Sequence, residues 1–380
     1  MTTSGPLAAN ERALGPDLAR GAMLLFIALA NAHVFLLGDS YLAGYPLDGS
    51  TLDRAVGGVL ATFVDGRAYP LFGLLFGYGV ARVAERHAAL GPRRVRRLLW
   101  RRAAVLVVLG LLHALLLFAG DILAAYGVLL LVGAWAVRLP DGWLLGLAPV
   151  LLLVLAVPDE SLGALLRDPP EPALLSPDLA TQAAERPVLS LLVMLAGPFG
   201  FGTSFLLGLW AGRRRVLERP DEHRRLLRTV AAVGVPVAVL GALPVSLAVA
   251  GVVPVPSDAT LGYLAPLRET TGVVGGAGYA ALLVLVASRV RQGPLVRALA
   301  ATGRRSMTCY LAQSLVWAVV FAPYLLGLAD DLGVAATALL SVLTWAATVL
   351  LAVLLERAGR PGPFEVLVRR VTYAGVARPA

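Results

Sequence analysis

The chain has a single cysteine, Cys309, and no lysine among its 380 residues. One thiol excludes an intrachain disulfide, a cysteine-rich zinc site and an iron–sulfur cluster. All 33 basic residues are therefore arginine, which reads as coding bias rather than function. Charge of either sign is scarce: 15% of residues are charged, against 58% that are hydrophobic. A soluble globule is about 45–50% apolar, and the mean hydropathy here is +0.77. A cleavable signal is also missing. The first apolar run, 18–37, is too long for a signal core and no A-x-A site follows it. It reads as a first span that stays. No internal repeat stands out, which weakens the reading as an inverted-repeat transporter.

What is present is a series of long apolar runs. A span needs roughly 20 apolar residues to cross about 30 Å of hydrocarbon. Ten segments qualify: 18–37, 67–84, 103–119, 122–138, 143–157, 188–211, 229–250, 271–290, 305–326 and 333–355. The expectation is an all-α, polytopic membrane helical bundle of about ten spans. It forms a single integral domain over 1–380, with six spans in the half 1–211 and four in the half 212–380. The fifth run is short and holds Pro149, and only Gly120-Asp121 separates the third from the fourth, as a tight hairpin.

The arginines orient this bundle. With the N-terminus inside, the inner segments hold 28 of the 33 arginines. The outer segments hold Arg54, Arg167, Arg186 and Arg268, and Arg67 lies at the outer edge of the second span. Acids run the other way, 15 outside and 9 inside. This is the positive-inside pattern, so both termini are expected in the cytoplasm of a bacterial plasma membrane. The net charge of +9 is then a topology signal, and no nucleic-acid partner is expected. Of the outer segments, 51–64 is amphipathic and reads as a re-entrant or interfacial helix. The acidic, proline-rich stretch 158–187 reads as irregular, with room for one surface helix.

Ionisable groups inside lipid cost about 2.5–3.5 kcal/mol each at a helix centre, so they are functional candidates. Asn31 and His33 sit two-thirds of the way along the first span, and His113 sits at similar depth in the third. Asp121 caps that span at the water edge. Asp65 and Arg67 open the second span from outside, and Thr308, Tyr310, Gln313, Ser314 and Trp317 run through the ninth. Most of the set falls in the outer half, as a cavity open to the outside would require. Each residue has a plainer reading beside this one. Asn31, Gln313 and Ser314 can be interhelical glue, Asp121 a turn residue, and His33, Asp65 and Arg67 headgroup-level groups. Gly73 and Gly77 read as close helix contacts, and the run Arg93 to Arg102 as the positive-inside determinant or as an anion site.

Five stretches taken in order resemble the YeiB-like bacterial membrane proteins, whose C-terminal half carries the domain-of-unknown-function family numbered 418. "PDLARGAMLLFIALANAHVF" matches through Asp17, Arg20, Gly21 and Asn31, with Pro16 and Ala19 where leucines are usual. "YPLFGLLFGYG" matches with Gly73 where serine is common, and "LLHALLLFAGDILAAYG" through His113, Gly120, Asp121 and Tyr126. "TGRRSMTCYLAQSL" matches through Gly303, Arg304, Thr308, Tyr310, Gln313 and Ser314, and "GRPGPFEVLVRRVTY" through Gly362, Pro363, Glu365 and Arg369. The opening and the span pattern are also similar to a wider group of transmembrane acyltransferases. That likeness implies transfer of an acyl group from a cytoplasmic acyl-CoA, as co-substrate, to a small or lipid-linked acceptor. It implies no tightly bound cofactor and no metal.

Acyl transfer needs a base or acyl carrier. His113 is the first candidate and His33 the second, with Asp121 as the orienting carboxylate. On one straight helix His113 and Asp121 are about 12 Å and some 80° apart, so direct contact is not expected. Asp121 would act through water or pair with Arg67. Asn31, His33 and Gln313 are the residues expected to face His113. Asn31, Asp65, Arg67, Tyr126, Tyr310, Gln313 and Ser314 would bind substrate, and Arg93, Arg94, Arg96, Arg97 and Arg304 the donor phosphates. Two other readings stand: a transporter of a small or lipid-linked solute with His113 and Asp121 as proton relay, and a non-catalytic membrane partner. A tunnel from the arginine run towards His113 would favour an acyl-CoA donor, and a pocket open only outward would not. Oligomeric state is not legible.

Overall fold

Where no water is at hand every backbone N–H and C=O needs an internal partner, and helices supply it. The structure, a computed structural model, describes residues 14–291 and 293–374. Among them are fourteen α-helices. They are α1 (Leu14–Ala32), α2 (Thr51–Phe63), α3 (Ala68–Arg86), α4 (Pro92–Leu116), α5 (Leu123–Ala136), α6 (Asp141–Leu155), α7 (Glu160–Leu165), α8 (Leu179–Arg213), α9 (Arg224–Val249), α10 (Asp258–Ala287), α11 (Pro294–Arg304), α12 (Ser306–Phe321), α13 (Val334–Arg357) and α14 (Pro363–Thr372). The only sheet among these residues is a hairpin of β1 (Tyr41–Leu42) and β2 (Tyr45–Pro46), with Leu42 opposite Tyr45. Seven helical runs are long and apolar enough to cross a membrane, with α2 and α3 forming one of them. Helices α5, α6 and α12, of 14, 15 and 16 residues, are apolar but shorter.

The charged contacts gather at two ends of the bundle. One end carries the arginines. There Arg82 meets Glu218 at 2.9 Å, Arg213 and Arg214 meet Asp141, and Arg304 and Arg305 share Glu356. At the opposite end Arg167 meets Asp258 at 2.7 Å and Tyr324 donates to Gln182 Oε1. Helix α1 begins, and α14 ends, at the arginine end. The chain termini themselves lie outside the described residues.

Two segments depart from the sequence reading and one agrees with it. The ninth expected span, 305–326, is the single helix α12, but an unexpected helix precedes it. Helix α11 is an amphipathic helix at the arginine end, and the chain bends at Arg305, whose guanidinium holds the Arg360 carbonyl and Glu356. The segment 158–187 holds one short surface helix, α7, and mostly irregular chain up to Asp178, which caps α8 by accepting the Thr181 N–H at 2.8 Å and so makes the last part of the segment helical. Helix α8 thus starts at Leu179 and runs 35 residues, roughly 52 Å. The segment 51–64 is the helix expected there, α2, started by a Ser50–Asp53 capping box. Asp53 also accepts the Ala335 N–H at 2.8 Å, which ties α2 to α13.

One apolar cluster joins both halves of the chain, running from Met23 and Leu75 to Val284, Tyr310 and Ala352. Helices α3 and α8 form one of its closest crossings. A Cβ on Gly77 would collide with the Phe205 carbonyl, and one on Gly208 with the Leu74 carbonyl. The reading of Gly77 as a close helix contact therefore holds.

Candidate functional site

Helix α4 ends at Leu116, and residues 117–122 turn the chain back on itself. That break brings the two groups of the His…Gly-Asp stretch together. His113 Nδ1 lies 2.7 Å from Asp121 Oδ1, with His113 4% and Asp121 2% exposed. The straight-helix separation does not apply, since the segment is not a straight helix. Asp121 is not at the water edge either. Its Oδ2 accepts the Ala124 N–H at 2.8 Å, starting α5, and its Oδ1 also takes the Tyr310 hydroxyl at 3.4 Å. An ionised carboxylate only accepts, so the short contact makes His113 Nδ1 the donor. Nε2 is then the lone-pair nitrogen. It is buried and has no hydrogen-bond partner among the described residues. The aromatic neighbour across the bundle is Tyr310, with ring centroids 5.1 Å apart. None of Asn31, His33 and Gln313 hydrogen-bonds the His113 ring. Asn31 is half-buried without a side-chain hydrogen bond among the described residues, and Gln313 Nε2 reaches the Leu24 carbonyl at 3.4 Å. Ser314 returns to its own helix, donating to the Tyr310 carbonyl at 3.4 Å.

Tyr310 is also part of the floor of a cavity of about 760 Å³ that opens at the arginine end. Its rim carries Arg20, Arg82, Arg86, Arg102, Arg215, Arg219 and Arg304, against Asp17, Glu218 and Glu365. Seven guanidiniums face three carboxylates, so the rim is cationic. Arg20 pairs with Asp17 at 3.1 Å and reaches the Leu75 carbonyl. The hydrogen bond and charge of Glu85 hold the Arg215 guanidinium above its ordinary value. Arg86 and Arg102 have no ion-pair partner among the described residues, and Arg102 Nε is buried without a bond. Below the rim the wall turns apolar, through Leu24, Ile27, Phe72, Phe76, Leu106 and Ile122, and reaches Tyr126 and Tyr310. Glu365 has a structural role as well. It accepts the Met307 and Thr308 N–H groups and the Thr308 hydroxyl, capping α12 from α14.

The cavity does not open outward, as the distribution of polar residues suggested. It opens among the arginines, but through a different set from the one expected. Of the five expected phosphate-binding arginines, only Arg304 lines it. Arg93, Arg94 and Arg97 are exposed, and Arg96 stacks on Trp135 at 3.9 Å. A run of arginines does not tell which of them point inward, since that depends on the turn of α4 against its neighbours. Asp17, Arg20, Tyr126, Gly303, Arg304, Tyr310 and Glu365, which carried four of the five family motifs, meet around this one cavity.

A second polar cluster lies at the opposite end. The Ala43–Gly44 turn, with φ of 54° and 82°, folds the small hairpin back so that Tyr45 stacks on His33, centroids 4.0 Å apart and planes 2° from parallel. Tyr45 donates to Asp65 Oδ2 at 2.8 Å, Arg268 meets the same oxygen at 3.3 Å, and His33 Nε2 lies 4.0 Å away. Arg67 does not pair with Asp121. Its guanidinium is fully buried and donates to the Asp65 and Ala238 carbonyls. Arg268, Tyr45 and Glu269 were missed by sequence reasoning. Arg268 counted there only as an outer arginine, because nothing in its local sequence marks a partner 203 residues away. No group of three or more metal-ligating side chains occurs among the described residues.

Apolar helices, a charged end and buried polar clusters define a multi-pass helical membrane protein with a cavity open on its basic side. The family resemblance is borne out. Residues 211–375 match the family described as "Protein of unknown function (DUF418)". The chain is similar to the "Uncharacterized protein YxaH" of Bacillus subtilis (strain 168), 26% identical over 98% of this chain and 97% of that one. It is also similar to the "Uncharacterized protein YeiB" of Escherichia coli (strain K12), 27% identical over 95% of this chain and 96% of that one. No solved structure matches.

Proposed function

We propose that this protein is a membrane acyltransferase, with ten spans, both termini in the cytoplasm and the plasma membrane of a bacterium as its site. The observation that carries the reading is Tyr310, which lines the cavity beneath its cationic rim and donates to Asp121 of the His113–Asp121 pair, a pair that lies behind the lining rather than in it. The donor is an acyl-CoA, taken up as co-substrate. Its phosphates meet Arg20, Arg86 and Arg102, and its acyl chain lies along Phe72, Phe76 and Leu106. The thioester then stands at the Tyr310 layer, and a hydroxyl acceptor approaches from the other end. His113 Nε2 takes the acceptor's proton while Asp121 orients the ring and stabilises the imidazolium. The acceptor oxygen bonds to the acyl carbon, the carbon–sulfur bond breaks, and the proton passes to the departing thiolate.

A test is thermal unfolding and acyl transfer by the full chain in nanodiscs given radiolabelled acetyl-CoA and a lipid extract. Acetyl-CoA raises the melting temperature of the wild type and of His113→Gln, but not of Arg102→Gln. Label transfer is lost in His113→Gln. Transfer that survives His113→Gln would overturn the base assignment. A second reading, transport, draws on two buried histidine–carboxylate pairs, His113–Asp121 between the ends and His33–Asp65 at the far end. Movement of an unmodified solute across proteoliposomes, with no label transferred, would favour it.

A further inference from the structure

The acyl-donor reading leaves the cluster at the far end unused, and its charges do not balance. Arg67 is 0% exposed, and its terminal nitrogens reach only the Asp65 and Ala238 carbonyls. No carboxylate lies within ion-pair distance of it among the described residues. Carbonyl dipoles offset a full charge only in part, and an unpaired buried ion is costly. Arg268, 7% exposed, must share Asp65 Oδ2 with the Tyr45 hydroxyl. The next carboxylate, Glu269, is 3.9 Å from Arg268 Nη1, half-exposed, and already accepts from Tyr69 at 2.5 Å. Two buried guanidiniums therefore lean on one buried carboxylate.

Three buried polar atoms in this small volume also lack partners: Asp65 Oδ1, Arg67 Nε and Arg268 Nε. Buried polar groups nearly always find a partner, so three together leave hydrogen-bonding capacity that the protein's own groups do not fill. The backbone between two of them is uncrowded. Gly66, between Asp65 and Arg67, is half-buried, has φ of 71°, and has nothing within 4 Å of where a side chain would project.

We propose that Arg67, Arg268 and Asp65 form an anion site that binds a small hydroxylated carboxylate or phosphate, the class of sugar acids and sugar phosphates. The guanidiniums take the anionic oxygens, and Asp65 Oδ1 accepts a hydroxyl. The stacked His33–Tyr45 pair forms one wall. On the acyl-transfer reading this is where the acceptor's charged end rests, but the site stands without that reading.

The test uses the full chain in nanodiscs of zwitterionic lipid, with glucuronate and inorganic phosphate as probes. Glucose and chloride at matched ionic strength are the controls. One or both anions raise the melting temperature saturably, and glucose and chloride do not. Arg268→Gln weakens that binding by about tenfold or more, a loss of about 1.4 kcal/mol. Asp65→Asn, which frees Arg268 from its internal partner, tightens phosphate binding. Arg102→Gln leaves anion binding unchanged while losing acetyl-CoA, so the two sites fail separately. Nanodiscs of anionic lipid that give the same stabilisation without added anion, again lost in Arg268→Gln, would assign the site to a headgroup. No saturable stabilisation by either anion in zwitterionic or anionic nanodiscs, or unchanged phosphate affinity in both Arg268→Gln and Asp65→Asn, overturns the proposal.

Discussion

The two ends of the bundle use arginine in opposite ways. At the basic end the guanidiniums are many, and five of the seven on the cavity rim have a carboxylate partner, as Arg82 has Glu218 and Arg304 has Glu356. They form an open rim, and each exposed pair contributes only about 0–1 kcal/mol. In the far-end cluster around Asp65 two guanidiniums are buried with one carboxylate. There each lost partner leaves a charge in a poor solvent, so each residue matters more. The difference teaches that the number of arginines at an end says little about their energetic weight. Burial decides it.

The comparison can be broken most directly between the ends, at the His113–Asp121 pair. Asp121→Ala leaves the imidazole, the Tyr310 hydroxyl and the Ala124 N–H without their acceptor. It is expected to cost about 3–5 kcal/mol, measured by denaturant unfolding in detergent; a loss below about 1 kcal/mol would mean water replaces the carboxylate. Next is Gly77→Val, which drives a side chain into the Phe205 carbonyl at the α3–α8 crossing. The expected cost is about 1–3 kcal/mol, and Gly77→Ala should cost less. Glu365→Ala removes the cap of α12 at the cavity's edge. About 0.5–2 kcal/mol should be lost, with faster hydrogen exchange confined to the first turn of α12. The smallest effect belongs to the exposed run. Arg93→Gln should stay within about 0.5 kcal/mol of wild type and keep acetyl-CoA stabilisation. An Arg93 variant that loses the ligand as Arg102→Gln does would extend the rim beyond the cavity described.

The outline of the fold was legible because lipid imposes a length. An apolar run near 20 residues has few other uses, so each expected span has a helix over most of it. The polar anomalies were legible for the same reason, since a histidine stands out in "GLLHALLLFAGDILAAYG". Their partners were not. His113 reaches Asp121 only because α4 stops at Leu116, and the apolar residues on either side of that stop look alike. Helices α11 and α14 were missed because amphipathic surface helices lack the length signal. The choice of Arg102 over Arg93 was hidden in a run where every arginine has similar neighbours.

The amino-acid sequence by itself determined the class of protein, the segments that become helices, the arginine-rich end and the identity of the anomalous residues. Composition and hydropathy act locally, and a membrane converts them directly into secondary structure. Only the tertiary structure decided who meets whom. It joined His113, Asp121 and Tyr310 across 197 positions of sequence, set seven arginines around one cavity, and gave Arg67 two carbonyls and no paired carboxylate among the described residues. Such pairings depend on helix breaks, crossings and rotations summed over the whole bundle, and no short stretch of residues carries that information.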